Sequence, residues 1–341
     1  MRWDNLQIVP GGDRPDLPLI ERQAVVRTID TPEFRGMTFY EIHAKSIINK
    51  VPAASRVPFS WTINPYRGCS HSCVYCFARK THEYLDLDSG SDFDSKIVVK
   101  VNAPELVRRE LAAPRWGGHH IAMGTNVDCY QRAEGRYRLM PGILTALRDT
   151  GNPFSILTKG SLILRDLPLL QEAAERTEVG TAVSVGFADK ELWRLAEPGT
   201  PSPHKRLEVC ATLNAHDIPC GVLMGPVLPY LADSPQQIDT TVRQIAETGA
   251  TSVSAITLHL RPGAREWFMS WLREHHPELV GPYERLYGRG AYAPKAYQET
   301  INRRVREAAD KYGVGRGRTA RRHRPPAPPP PPPAGEQLSL L

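Results

Sequence analysis

The 341-residue sequence has no apolar run near the roughly 20 residues needed to cross a bilayer, and its opening Met1-Arg2-Trp3-Asp4 lacks the apolar core of a secretion signal. Both absences lead us to expect a cytoplasmic protein with no membrane partner. Cysteine is scarce, at six residues, and a second C-x2-C or Cys/His pair of the kind a structural zinc site uses is missing. A disulfide framework is disfavoured as well, because three of the six cysteines crowd into one short stretch and would need distant partners. What remains is the composition of a globular chain, 41% hydrophobic and 23% charged, long enough to bury a full core.

The crowded stretch is Asn64 to Arg79, N-P-Y-R-G-C-S-H-S-C-V-Y-C-F-A-R. Cys69, Cys73 and Cys76 have the spacing C-x3-C-x2-C. Three thiolates this close can cap three irons of a four-iron four-sulfur (4Fe-4S) cubane and leave the fourth iron open to a substrate or cofactor. Zinc, or no metal, is the alternative; His71 lies inside the loop, where its geometry as a ligand would be cramped.

From Pro58 onward, short apolar runs alternate with longer amphipathic ones, the pattern of strand-helix repeats with a parallel sheet. Strands are expected at Phe59 to Ile63, His120 to Gly124, Phe154 to Thr158, Gly180 to Gly186, Ile218 to Met224 and Ser252 to Leu258, with helices after them. Ile97 to Val101 reads as an accessory strand, and Phe39 to Val51 as one short helix or strand. Six repeats, where eight would close, predict an α/β fold with a partial (β/α)6 TIM-type barrel. The expected divisions are an N-terminal cap (1–57), the barrel (58–312) and a disordered basic, Pro-rich C-terminal tail (313–341).

The cysteine loop, with Tyr75 just before the last cysteine, resembles the signature of radical S-adenosylmethionine (SAM) enzymes. In that family the open iron chelates the amino and carboxylate groups of SAM, and reductive cleavage gives a 5′-deoxyadenosyl radical that abstracts hydrogen from a substrate. The resemblance implies a 4Fe-4S cluster and SAM as cofactors and an external electron donor such as flavodoxin or ferredoxin. Asn64 to Cys69, Tyr75 to Arg79 with His82-Glu83-Tyr84, and Asp128-x-Tyr130-Gln131-x-x-Glu134 are similar to the group related to spore photoproduct lyase. That similarity implies a lyase-like enzyme of DNA repair; radical modification of RNA or protein, or a non-catalytic iron-sulfur adaptor, are the other readings.

Ligands of a parallel barrel lie at the carboxy-terminal strand ends, so those ends supply candidates. After the second strand, Gly124 permits close backbone approach, and Thr125 and Asn126 offer short polar groups where the resemblance puts the amino group of SAM; an ordinary polar turn is the alternative. Asp128, Tyr130, Gln131 and Glu134 are numerous enough for some to face a substrate. Lys159, after the third strand, suits the SAM carboxylate or else is an exposed lysine at a loop edge, and Ser184, on the fourth, suits the ribose or carboxylate of SAM. Glu197 and Arg206 resemble family residues that shape the site. His259 and Arg261, after the sixth strand, suit a phosphate or a structural role. Where the lyase carries its hydrogen-donor cysteine this chain has Gly124, and Cys129 lies five residues away; Cys129 is the candidate catalytic thiol, with simple packing as the alternative.

Charge is uneven. Arg303 to Arg324 holds nine basic and two acidic residues, a net of +7 that leaves the rest of the +6 chain at −1. A basic end suggests nucleic acid, DNA above all, as partner, or else only solvation. Pro325 to Pro333 contains eight prolines in nine residues, a polyproline II spacer. The closing Gln337-Leu338-Ser339-Leu340-Leu341 resembles the peptide by which bacterial repair proteins dock on the sliding clamp.

Overall fold

The computed structural model describes residues 25–28, 31–55 and 57–315. The proline spacer, the clamp-like peptide and the basic residues from Arg316 onward lie outside the described residues.

Among the described residues eleven strands form two sheets: β1 (Val25–Thr28), β2 (Thr38–Ile42), β3 (Ile48–Lys50), β4 (Trp61–Ile63), β5 (Tyr66–Arg67), β6 (Lys96–Lys100), β7 (Ile121–Met123), β8 (Phe154–Thr158), β9 (Val179–Ser184), β10 (Cys220–Val227) and β11 (Val253–Thr257). The larger sheet has the order β11-β10-β9-β8-β7-β4-β3. Six of these strands, β4 and β7 to β11, are parallel neighbours in chain order, the winding of a (β/α) barrel. β3 runs antiparallel along β4 and, with β11, forms an edge, so the barrel is partial. All six expected strands are present. Ile121, Ala122 and Met123 of β7 are all buried, as a strand covered on both faces must be. The smaller sheet, β1-β2-β6-β5, includes the expected accessory strand as β6.

Local chemistry sets the connecting helices. Pro203–Ala215 starts on Ser202, whose side chain accepts from the Lys205 N–H, with proline at the first turn. Pro235–Glu247 starts on a full capping box between Ser234 and Gln237.

Two expectations change. Phe39 to Val51 is not one element: it splits into β2 and β3, which belong to different sheets. The bend between them is held by distant side chains. The Ala44 N–H donates to Asn102 Oδ1, and those of Ile47 and Ile48 to the Glu110 carboxylate, all at 2.9 Å. The basic end also begins later than charge counting implies. Arg303, Arg304, Arg306 and Lys311 sit on the helix Lys295–Tyr312, which buries Ile301, Val305 and Ala308 at helical spacing. Arg304 donates to the Asp233 carbonyl at 2.7 Å and Lys311 to Asp239 at 2.7 Å, so part of that charge is tied to the barrel.

No helix among the described residues is long and apolar enough to cross a membrane. A second apolar cluster packs Cys73, Val74 and Tyr75 against Phe268 and Leu272 of the helix Ala264–His275 and Tyr283 of the helix Val280–Tyr287. The C-terminal helices thus form one wall behind the cysteine loop.

Candidate functional site

The loop reaches its place through a bend. After β4, Asn64 and Pro65 turn the chain into the two-residue β5, which pairs with β6, so the loop departs from the smaller sheet. The Lys100 ammonium donates to the Asn64 carbonyl at 2.8 Å and fixes that turn.

Buried polar side chains then grip the loop backbone. Gln131, with no exposed surface, accepts from the Ser70 N–H at 2.9 Å and donates to the Gly68 carbonyl at 2.9 Å. Arg79, equally buried, donates to the Cys73 carbonyl at 3.0 Å, to the Gly90 carbonyl at 2.8 Å and to both Asp94 oxygens at 2.9 Å. Its guanidinium carbon lies 4.8 Å from the Trp267 ring centre and 5.2 Å from that of Phe93. The Val74 N–H donates to the Ala196 carbonyl at 3.0 Å, and the Gly199 N–H to the His71 carbonyl at 3.1 Å. A Cβ on Gly199 would lie 2.0 Å from the Ser70 carbonyl oxygen, so only glycine fits there.

The three loop thiols are free, and Cys69 and Cys73 are buried. Burial pushes the Cys69 thiol well above its ordinary range, with the Asp128 carboxylate and the other two thiols adding to the shift. Burial likewise raises Cys73, with Glu197 adding, and Cys76, where Arg79 opposes the rise. Three thiolates here need a cationic group to compensate them. Among the described residues no three His, Cys, Asp or Glu side chains are already gathered as metal ligands; what fits an iron-sulfur cluster is the donor set itself, three free soft thiols at C-x3-C-x2-C spacing on one loop.

Beside the loop, the ends of β8, β9 and β10 bring polar groups together. The Lys159 ammonium, 13% exposed, donates to Ser184 Oγ at 2.6 Å and to the Gly225 carbonyl at 3.1 Å. It lies 5.8 Å from the Tyr75 ring centre and 3.9 Å from Glu197. Tyr75 donates its hydroxyl proton to Glu197, which also takes a short ion pair from Arg206. Burial pushes the Glu197 carboxyl up, but Arg206, Lys159 and the Tyr75 hydroxyl outweigh it, and the group stays ionised below its usual range. Arg206 in turn donates to the Ser184 carbonyl at 2.7 Å. Tyr75, Lys159, Ser184, Glu197 and Arg206 therefore form one connected network next to the thiols.

The remaining candidates follow the neighbouring strand β7. Thr125 and Asn126 are half-buried in the loop after β7. Gly124 has a φ of 73°, and a Cβ there would stand 1.8 Å from the Leu157 carbonyl oxygen of β8; the close approach it allows is to the neighbouring strand. Cys129 has no exposed surface and sits in the main core, where burial raises its thiol far above the ordinary range.

The polar run after β7 is tied into the scaffold by hydrogen bonds, and Tyr130 also lines a cavity with His71 and Arg132. Asp128 accepts from Thr158 Oγ1 at 2.7 Å, the Lys159 N–H at 2.6 Å and the Tyr130 N–H at 2.8 Å, and it lies 3.4 Å from His71. Tyr130 donates to Asp166 at 3.0 Å, and Glu134 accepts from the Tyr66 hydroxyl at 2.6 Å, from Arg165 at 2.6 Å and from the Leu139 N–H at 3.0 Å. These residues join the cysteine loop to β8 and to the helix Leu139–Asp149. Sequence reasoning missed the structural duty of Asp128 and Gln131 and the place of Arg79. Their presence in the quoted motifs was the available signal.

Comparison with known proteins agrees with this arrangement. The model of the Radical SAM superfamily matches residues 63–245, which hold the cysteine loop and β7 to β10. An uncharacterised protein of Mycobacterium tuberculosis is 49% identical over 328 residues, 95% of this chain and 95% of that one. Another, of Methanocaldococcus jannaschii, is 32% identical over 195 residues, 57% of this chain and 69% of that one. A solved spore photoproduct lyase complexed with dinucleoside spore photoproduct superposes with a TM-score of 0.61 over 81% of this chain and 80% of that one, at 13% identity, which is a likeness of fold. With the family model matched over more than half of its length, this chain belongs to the radical SAM superfamily.

Proposed function

We propose that the protein cleaves SAM reductively at a 4Fe-4S cluster held by Cys69, Cys73 and Cys76 and directs the radical at a nucleic acid, DNA first, in a lyase-like or repair reaction. The observation that carries the first half is the placement of three free thiols beside the Lys159, Ser184 and Glu197 network at the carboxy-terminal end of a partial parallel barrel. When bound, a reduced cluster with one open iron supplies the electron that splits the sulfonium of SAM.

The chain's own residues do the rest. Lys159 bonds the neutral oxygens of Ser184 and Gly225 and lies 3.9 Å from Glu197, a carboxylate already paired with Arg206, so part of its charge can turn to the carboxylate of a bound amino acid moiety. Glu197 and Arg206 hold Tyr75 in place, and Gly124, Thr125 and Asn126 lie at the adjoining strand end as further SAM contacts. The C-terminal helices close one side against water.

The choice of nucleic acid is supported by the basic residues from Arg316 onward and by fold likeness to a lyase whose solved structures hold SAM and a dinucleoside photoproduct. In the same proposal, 58–312 is the catalytic unit in the cytoplasm, flanked by the cap (1–57) and the tail (313–341). A flavodoxin or ferredoxin supplies the electron, and Gln337 to Leu341 dock on the sliding clamp.

The test is 5′-deoxyadenosine formation by anaerobically reconstituted protein with dithionite. We expect product from wild type and none from Cys73→Ala. We also expect stimulation by ultraviolet-damaged DNA above undamaged DNA, RNA or no polymer. A fully iron-loaded wild type that leaves SAM intact would refute the enzyme, and stimulation by RNA alone would redirect the substrate.

A further inference from the structure

Scattered exposed aromatic residues are ordinary on any protein surface. Here two of them flank one arginine beside the cysteine loop. Phe77, the residue after Cys76, is 43% exposed, and Tyr292 is 41% exposed. The Arg261 guanidinium carbon lies 5.6 Å from the Phe77 ring centre and 6.0 Å from that of Tyr292. Among the described residues its only side-chain hydrogen bond is from Nη2 to the Tyr292 hydroxyl, at 3.0 Å.

The patch is assembled from three parts of the chain and held by backbone. His259 and Tyr292 form an antiparallel bridge, the Leu260 N–H donates to the Ala291 carbonyl at 2.8 Å, and the His259 ring meets the Tyr292 ring edge-on at 4.5 Å. A Cβ on Gly263 would stand 3.1 Å from Lys80 Cβ, which places the exposed Lys80 against the same loop. The nearby Glu266 carboxylate is engaged by the Gly263 N–H at 2.6 Å. The result is an exposed patch of two aromatic rings with a cation within 6.0 Å of both ring centres and another at its margin.

We propose that Phe77, Arg261 and Tyr292 form a stacking platform for an unpaired base of single-stranded nucleic acid, with Lys80 meeting an adjacent phosphate. This rests on the nucleic-acid reading above and narrows it. Every base offers a π-face to an aromatic ring or a guanidinium plane, and the phosphates supply the complementary charge. A paired duplex keeps those faces inside its stack, so it offers the platform only its backbone. An acidic peptide would use the two cations and leave both rings exposed. Phe77 follows directly on Cys76, and Arg261 lies in the loop after β11, so a base held there lies at the edge of the cysteine loop.

The test is fluorescence anisotropy with the full, reconstituted chain, a labelled 12-nucleotide single strand, the matching duplex, and poly-glutamate as competitor. The basic tail contributes to both polymers, so the ratio between them is the quantity of interest. Wild type should favour the single strand. Tyr292→Ala should weaken single-strand binding about 5- to 100-fold with little change in duplex binding. Tyr292→Phe, which keeps the ring, should retain wild-type affinity and rule out misfolding as the cause. Arg261→Gln should weaken binding and flatten its dependence on salt. Equal losses for both polymers, no loss in Tyr292→Ala with an unchanged circular dichroism spectrum, or poly-glutamate competing as well as an oligonucleotide of equal charge would each overturn the platform. If wild type binds DNA but Tyr292→Ala is neutral, only the platform falls. If wild type binds no nucleic acid, the platform and the broader reading fall together.

Discussion

Replacing Gln131 with methionine should loosen the cysteine loop without emptying the core. Methionine has nearly the same reach and volume, so the substitution isolates the amide. In the native fold that amide joins the Gly68 carbonyl and the Ser70 N–H, each at 2.9 Å, and Gln131 and Ser70 are both buried. Leaving a buried backbone group without a partner costs about 1 to 3 kcal/mol. Two such groups give about 2 to 4 kcal/mol after partial relaxation. If the loss appears as easier opening of the loop, it should speed amide exchange at Ser70 by about 30- to 700-fold, since 1.4 kcal/mol is a factor of ten. Hydrogen exchange of a peptide spanning residues 68–76, read by mass spectrometry, measures this directly. Iron content after reconstitution should drop in parallel, because a mobile loop presents its thiols in many arrangements. Exchange and iron content both at wild-type levels would show that the loop is held by something other than Gln131.

Three further outcomes follow from the packing. Gly124→Ala forces a Cβ to within 1.8 Å of the Leu157 carbonyl at a φ of 73°, so we expect insoluble protein or a loss above about 4 kcal/mol; a wild-type melting temperature would contradict the strand contact. Burial lowers the His82 imidazole from 6.5 to about 4 while its Nε2 donates to the Lys96 carbonyl at 2.9 Å. The unfolded chain then binds more protons between pH 6.5 and pH 4, and stability is lost as pH falls through that window. From pH 7.5 to 4.5 the wild type should lose about 2 to 3 kcal/mol more than His82→Gln in urea unfolding, and parallel losses would refute this. Cys129→Ala, at a site with no exposed surface, should lower stability by about 1 to 2 kcal/mol in the same assay; an unchanged midpoint would argue against its place in the core.

The fold was legible where the information is local. Apolar runs at strand length alternating with amphipathic ones located all six parallel strands, and the Pro-plus-Ser starts of the helices at residues 203 and 235 follow from capping chemistry alone. The split of Phe39 to Val51 was not legible. Its bend depends on Asn102 and Glu110, whose sequence separations of 58 and 63 residues leave no trace in a local window. The helix Lys295–Tyr312 was obscured for a related reason. Its arginines read as a charged tail until Asp233 and Asp239 supply partners for two of its basic residues.

The sequence by itself determined the chemistry available and the order of its parts, because C-x3-C-x2-C spacing and hydrophobic period are properties of neighbouring residues. Only the tertiary structure decided which polar residues hold the scaffold together. In one dimension Asp128, Tyr130, Gln131 and Glu134 read as a polar run of which some members face a substrate. In three dimensions they are buried or largely buried and satisfied, since a polar group removed from water must find its partner wherever the fold brings one. The same rule set Arg79 between Trp267 and Phe93 with Asp94 as its counter-charge, and joined Tyr75 to Glu197 across 122 residues.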